Sequence, residues 1–513
     1  MVNDMKERKR GIRIKTRVIL TAFGLILALA FILVGVIELQ SNFLPIYSLL
    51  ELTGIITAIY IVNKRDNPSY KIAWIVFILA LPVFGLIVYM MWGGQRTFPH
   101  LKKKMKTCCE KYEKYLEQDP AIPRLLQYED SPRTRQAAYL CNESGFPVYK
   151  DTNVEYLSPG DKFLERLVEE LSKAKKYIYL EYFILADGKM WNAVYNVLVE
   201  KAQNGVEVKV IFDDFGSIKR QHRDFVSRMK KHGIEVSIFC PIKPSLNIVM
   251  NNRNHRKIII IDGNVAFTGG INIADEYINE CERFGYWMDC AVMIKGKAVD
   301  SFVVMFCTMW EYTTGKAVEI KDKLISIPVQ NESYVIPYCN SPMDSKSTAE
   351  GIYLQILNTA HKYVDIATPY LILDDKMKNA IILAAKSGVR IRITTPFIPD
   401  KKYVHPVTQY YYSELLEAGV KIYEYTPGFI HSKLFISDNS SATAGTVNMD
   451  YRSFFFHFEC GIWFTNEDTV KTIEAHFEEL LLDSKEIRQS DWEKRGMWLR
   501  FKQWILHLFS PLM

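Results

Sequence analysis

The sequence predicts an α/β body of two pseudo-symmetric halves around one shared active site, preceded by N-terminal transmembrane helices. Three observations carry this. The long apolar runs lie before residue 93, and the remainder has an ordinary globular composition. A strand–helix–strand pattern occurs twice in that remainder. A short His-Lys motif then occurs once in each copy.

The apolar region comes first. Residues 18–37 carry no charge over about twenty positions, enough for a helix to cross the hydrocarbon core. Residues 43–62 and 72–92 are further candidates, with Pro82 inside the third. A cleaved leader is the rival for the first segment, but no small-residue cleavage site follows, so a retained anchor of two or three helices over 1–92 is expected. Seven Lys or Arg in residues 1–17 put the N-terminus on the cytoplasmic side. Three full spans would put the body outside, whereas Lys102, Lys103, Lys104 and Lys106 and the cysteines argue for the inside. The expected location is the cell membrane, multi-pass, with the face left open.

Bulk composition excludes little but directs attention. Sixty-four basic against 58 acidic residues give a net charge of +6, which suits an anionic membrane or substrate. No basic block reads as a nucleic-acid-binding arm, so no nucleic-acid partner is expected. The nine scattered cysteines have no zinc-site spacing and are expected to be reduced. No H-E-x-x-H occurs, so no metal and no cofactor is expected.

Residues 93–150 read as a linker leading into the body, 151–325 as its first half and 326–490 as its second. In the first half AKKYIYLEYFI (174–184) is followed by NGVEVKVIFDD (204–214). In the second, AHKYVDIATPYLI (360–372) is followed by SGVRIRITTPF (387–397). Each pair reads as strand, long helix, strand, which calls for parallel neighbours in an α/β sheet. The last segment, 491–513, places Trp498, Phe501, Ile505, Leu508 and Leu512 at helical spacing. It reads either as an interfacial helix or as a cover for the core.

The chemistry concentrates in H-x-K-x4-D, present as His255, Lys257, Asp262 and again as His431, Lys433, Asp438. On a strand, residues two apart share a face, so each His projects beside its Lys. Asp262-Gly263 and Asp438-Asn439 signal turns, and the chain returns to bring Asn272 and Asn448 back beside the histidines. For the two aspartates a turn role competes with a catalytic one. Lysines and Asn amides can cradle a phosphate and its transition state. One imidazole can attack phosphorus and the other protonate the leaving alkoxide.

The duplicated motif resembles the phospholipase D superfamily over about residues 150–485. NPSYKIAWIVFILALPVFGLIVYMMWG (67–93) and GTVNMDYRSFFFHFE (445–459) are similar to segments of bacterial cardiolipin synthases. The resemblance implies metal-free transfer of a phosphatidyl group between two phosphatidylglycerols through a phosphohistidine. Phosphatidylglycerol and other anionic phospholipids, and the membrane, are then the expected partners. It makes His255 and His431 nucleophile and general acid/base, with precedent favouring His255 as nucleophile. It makes Lys257, Lys433, Asn272 and Asn448 the phosphate ligands. Glu459, 28 residues after His431, is expected to orient that histidine; Asp289 is the candidate partner for His255. Gly270 stands where many members have Ser, so the halves need not contribute equally. Hydrolysis of phospholipids and nuclease activity use the same site chemistry and remain as alternatives.

Overall fold

The computed structural model describes residues 43–512, apart from 65, 94–98, 130, 243–251 and 344–345. The first apolar segment, 18–37, and the basic stretch before it lie outside the described residues. The described residues up to 93 belong to one compact unit; Phe98–Pro241 and Asn252–Pro511 form another.

The first unit contains α1 (Phe43–Val62), α2 (Pro68–Ala80) and α3 (Pro82–Trp92). The second apolar segment is one helix, as expected. The third is two. Pro82 lacks the N–H that a continuing helix needs, and the chain reverses at Leu81. Trp74 meets Tyr89 at 5.3 Å between ring centroids and Phe77 meets Phe84 at 5.8 Å, so α2 and α3 run antiparallel. Gly85 makes the close approach possible: a Cβ there would lie 2.7 Å from Ile78 Cα. Among the described residues no helix is long and apolar enough to cross a membrane. Hydropathy over 72–92 measures length and apolarity, and a folded hairpin satisfies both without spanning.

The second unit opens with α4 (Pro99–Glu113) and, among the described residues, holds eighteen strands. These are β1 (Thr152–Leu157), β2 (Tyr177–Tyr182), β3 (Glu207–Asp213), β4 (Glu235–Phe239), β5 (Arg253–Asn254), β6 (Ile258–Ile261), β7 (Val265–Gly269), β8 (Tyr286–Met288) and β9 (Ala291–Gly296) in the first half. The second half has β10 (Val335–Asn340), β11 (Tyr363–Ala367), β12 (Arg390–Pro396), β13 (Lys421–Tyr425), β14 (Gly428–Ile430), β15 (Leu434–Ser437), β16 (Ser441–Gly445), β17 (His457–Phe464) and β18 (Ser484–Ile487). One sheet has the order β1-β9-β7-β6-β2-β3-β4, the other β10-β17-β16-β15-β11-β12-β13-β18.

The duplication is visible strand by strand. β2 pairs parallel with β3 through the crossover helix α5 (Lys189–Gln203). β11 pairs parallel with β12, and a helix over Asp375–Lys386 lies between them in sequence. β6–β7 and β15–β16 are antiparallel hairpins beside β2 and β11. One apolar core joins the halves, with Ile258, Val292 and Phe306 from the first and Ile436, Phe458 and Ile462 from the second. Helix α6 (Val299–Thr314) is buried along most of its length within it.

The last long helix, α7 (Met497–His507), uses its polar side to dock. Gln503 is 1% exposed, and His507 stacks on Tyr410 at 3.9 Å between centroids. Trp498 and Trp504 are 83% and 64% exposed. It therefore does not bury its apolar residues in the core.

Candidate active site

The two motif strands meet through very short pairings that cross between the halves. β5 runs parallel to the start of β17, and the His255 N–H donates to Phe458 O at 2.9 Å. β8 runs parallel to β14, and the His431 N–H donates to Met288 O at 2.7 Å. Each histidine thus lies beside the residue that follows its acceptor. The His255 Nδ1 is 3.0 Å from both Glu459 carboxylate oxygens. The His431 Nδ1 is 2.7 Å from Asp289 Oδ2.

This exchanges the partners expected from sequence. Glu459 orients His255 and Asp289 orients His431, each across the two halves. The offset of 28 residues from His431 counts along the chain, whereas the pairing is made by the neighbouring strand. In both cases Nδ1 is committed to a carboxylate, which leaves Nε2 for chemistry.

The two sides are not equal. The Thr446 hydroxyl donates to Glu459 Oε2, and Thr446 also takes the Cys460 N–H at 3.0 Å. At the matching place in the first half stands Gly270, where a Cβ would lie 2.1 Å from Asp289 Oδ1. Asp289 instead accepts the Cys290 N–H at 2.8 Å. His457, which the sequence analysis does not single out, joins the same carboxylate: its Nδ1 is 3.6 Å from Glu459 and its ring is 5.5 Å from that of His255. Its alternation with Glu459 on one strand was the available signal. Phe183 and Tyr277 complete the walls, packed edge-on to His255 at 4.9 Å and to His431 at 5.4 Å.

The lysines fold back on their own motifs. Lys257 Nζ donates to His255 O at 2.6 Å, and Lys433 Nζ donates to His431 O. Burial pushes the Lys257 ammonium down to about 7, and the charge of Lys433 adds to that. Burial likewise brings Lys433 to about 8. Burial also lowers both motif histidines, favouring neutral rings, against the pull of Glu459 on one and Asp289 on the other. Burial alone would raise Glu459, but His255 and His457 hold it below the usual carboxylate range. The Lys257 charge is felt at His431 as well, so the two motifs act within one electrostatic site. An arriving phosphodiester anion would favour the charged form of every cation there.

The asparagines differ from each other. Asn272 is already engaged: its Oδ1 accepts the Ile184 N–H at 3.0 Å and its Nδ2 donates to Tyr277 Oη at 2.7 Å. It holds Tyr277, which packs on His431. Asn448 Nδ2 reaches Asp450 at a long 3.3 Å, and its buried Oδ1 has no partner among the described residues.

Asp262 and Asp438 are away from this chemistry, at the turn ends of their hairpins. The Asp262 carboxylate accepts the N–H groups of Lys175, Lys176 and Tyr177 at 2.7, 2.7 and 2.9 Å. Asp438 does the same for His361, Lys362 and Tyr363 at 2.7, 2.8 and 2.8 Å. Each caps the start of the central strand of its half, so the catalytic expectation for both is corrected to a structural one.

Comparisons with known proteins place the chain in a family. The family described as cardiolipin synthase, PLD-like domain, matches residues 167–310 and 353–481. The chain belongs to that family. A second family, described as phospholipase D-nuclease N-terminal, matches residues 54–94. The chain is 33% identical over 455 residues to "Cardiolipin synthase 2" of Bacillus anthracis, covering 88% of each. It is 40% identical over 459 residues to an uncharacterized protein of Streptococcus mutans, covering 89% of this chain and 99% of that one. Its fold resembles the phosphatidylserine synthase of Haemophilus influenzae, with a TM-score of 0.56 at 13% identity, covering 74% of this chain and 97% of that one.

Proposed function

We propose that the protein is a cardiolipin synthase that moves a phosphatidyl group from one phosphatidylglycerol to a hydroxyl of another, releasing glycerol. The observation that carries this is the pair of histidines, each held at Nδ1 by a buried carboxylate and each followed by a buried lysine. Named relatives of similar length support the choice of lipid.

His255 Nε2 attacks phosphorus while the bond to the glycerol oxygen breaks, and His431, protonated as the anionic lipid enters, gives its proton to that oxygen. The neutral His431 then takes the proton from the incoming hydroxyl of the second lipid. That oxygen attacks phosphorus and the P–N bond to His255 breaks. Lys257, Lys433 and Asn448 balance the charge on the phosphoryl oxygens. Assignment of the nucleophile to His255 rests on the firmer setting of its carboxylate by Thr446. A dry acceptor pocket is required for the alcohol to outcompete water.

Membrane attachment fits the first unit and α7. A helix of 13 residues such as α2 is about 20 Å long, well short of the ~30 Å hydrocarbon core. The α2–α3 hairpin suits a dip into one leaflet, returning to the face it entered. Lys64 and Lys71 lie at its open end, Lys64 Nζ donating to Tyr89 Oη at 2.9 Å.

The test is to incubate the purified protein with phosphatidylglycerol in mixed micelles, with and without EDTA. Cardiolipin and glycerol in equal amounts, absent from His255→Ala, support the reading. Phosphatidic acid as the main product would replace it with hydrolysis. The EDTA arm is needed because donor atoms of His255, His457 and Glu459 lie within 4.8 Å of one another, as a metal site would require. Loss of activity that a divalent ion restores would overturn the metal-free route.

A further inference from the structure

Behind the catalytic strands lies a cavity of about 470 Å³, within the usual size range of small-molecule sites. Its floor is apolar: Met105, Phe146, Met305, Met343 and Phe458. Its basic side chains are Lys102, Lys103, Lys106, Lys346 and Arg256, against the carboxylates of Glu113 and Glu143. Lys346 is paired with Glu143 at 3.5 Å and Lys106 with Glu110 at 3.6 Å, so Lys102, Lys103 and Arg256 carry most of the excess charge.

Arg256 is the decisive residue. It is 4% exposed and stands between His255 and Lys257 in the link from β5 to β6, and of the three it alone lines the cavity. Its Nε donates to Glu459 O at 3.3 Å, and the nearest carboxylate ion pair is with Glu181 at 3.9 Å. Burial pushes Glu181 up to about 7, which weakens it as a counter-charge. A guanidinium carries five donors, and a buried one without an anion is costly. Here the guanidinium lines an open cavity whose wall joins the apolar floor to the hydroxyl-bearing Ser144, Thr308, Ser341 and Thr348.

We propose that this cavity binds an anionic amphiphile, its phosphate or carboxylate held by Lys102, Lys103, Lys106 and Arg256 and its chain by the apolar floor. The site is separate from the histidine site, because none of His255, Lys257, His431, Lys433 and Glu459 lines the cavity. It is also joined to that site, through the Arg256 bond to the Glu459 carbonyl. Membrane phospholipid and free fatty acid share the required chemistry.

The experiment is photolabelling of the full-length protein in mixed micelles with a lysophosphatidylglycerol bearing a diazirine at its chain end. Adducts are located by peptide mass spectrometry. Labelling is expected on the peptides of α4 and α6 that contain Met105 and Met305, and at undiminished yield in His255→Ala. The surface variant K102Q/K103Q/K106Q should lower that yield at least fivefold. Oleate and unlabelled lysophosphatidylglycerol should both compete; the stronger of the two identifies the natural source as fatty acid or phospholipid. Absence of adducts from those peptides would overturn the proposal. So would full labelling of the lysine variant, or equal competition by neutral oleyl alcohol. Labelling needs no turnover, so its failure is distinct from failure of the proposed transferase activity.

Discussion

At the residue scale the crossed pairing gives each histidine its own carboxylate. Glu459 holds His255 and Asp289 holds His431, so the two carboxylates can be removed one at a time to separate attack from protonation. Bis(4-nitrophenyl) phosphate has a leaving group that needs no proton. With it, Asp289→Asn and His431→Ala should still form a covalent adduct on His255, while Glu459→Gln should form almost none. An adduct that depends on Asp289 and survives in Glu459→Gln would reverse the assignment. With phosphatidylglycerol, where the leaving alkoxide does need a proton, His431→Ala should lose about 10²–10⁴ in kcat. Thr446→Val removes a hydrogen bond to a charged group, worth about 1.5–3 kcal/mol. The lysines set the alkaline limb. Their folded pKa values, about 7 and about 8, lie below the usual lysine value, so they lose charge as pH rises through that window. In the proposed mechanism the ammonium forms bind the phosphate, so kcat/KM should fall above about pH 7–8. Because an anion favours the charged forms, tungstate binding at pH 8 should take up protons. Calorimetry in two buffers of different ionisation enthalpy measures this; net proton release would contradict it.

At the element scale, what the sequence disclosed followed from locality. The β6–β7 and β15–β16 hairpins, and the parallel strands β2–β3 and β11–β12, come from alternation and turn residues that neighbours in sequence define. The His-Lys pairs were read from the two-residue repeat of a strand, whereas 255–257 and 431–433 fall in the links from β5 to β6 and from β14 to β15. The carboxylate exchange was hidden because it is made by β5, β8 and β14, strands of two or three residues whose partners are more than 100 positions away. Asp262 and Asp438 show the converse: the motif spacing is shared with a catalytic reading, while their job is to cap strands begun about 85 and 75 residues earlier. The apolar run over 72–92 gave length but not direction. Its hairpin depends on Pro82 and on Gly85 against Ile78. If α2 and α3 dip and return, single cysteines replacing Asp66 and Gln95, in a Cys281→Ser background, should react with an impermeant maleimide from the same membrane face. A cysteine at Leu81 should stay protected from both. Labelling of the two ends from opposite faces would instead make 72–92 a true span. Gly85→Leu should open the hairpin and lower the yield of membrane-inserted protein.

At the scale of the whole molecule, a lipid substrate has to reach histidines that are each 7% exposed, and the proposed membrane attachment requires the body to be held against the bilayer as well as tethered to it. Helix α7 supplies a means. Its polar side is spent on the body through Gln503 and His507, and Trp498, Phe501 and Trp504 are left outward. Such aromatics favour the membrane interface, and full burial of a large apolar side chain contributes about 1.5–3 kcal/mol. Because Phe98–Pro241 and Asn252–Pro511 form their own compact unit, a protein beginning at Phe98 should fold and still bind vesicles. It should cosediment with phosphatidylglycerol vesicles, and W498S/F501S/W504S should weaken that binding by at least tenfold while leaving the melting temperature nearly unchanged, since these side chains support no core. The same triple change in the full-length protein should leave it membrane-bound through the first unit but raise KM for micellar phosphatidylglycerol more than it lowers kcat. Equal vesicle binding by the truncated protein with and without the three aromatics would assign α7 to the body alone and leave the first unit as the sole membrane contact.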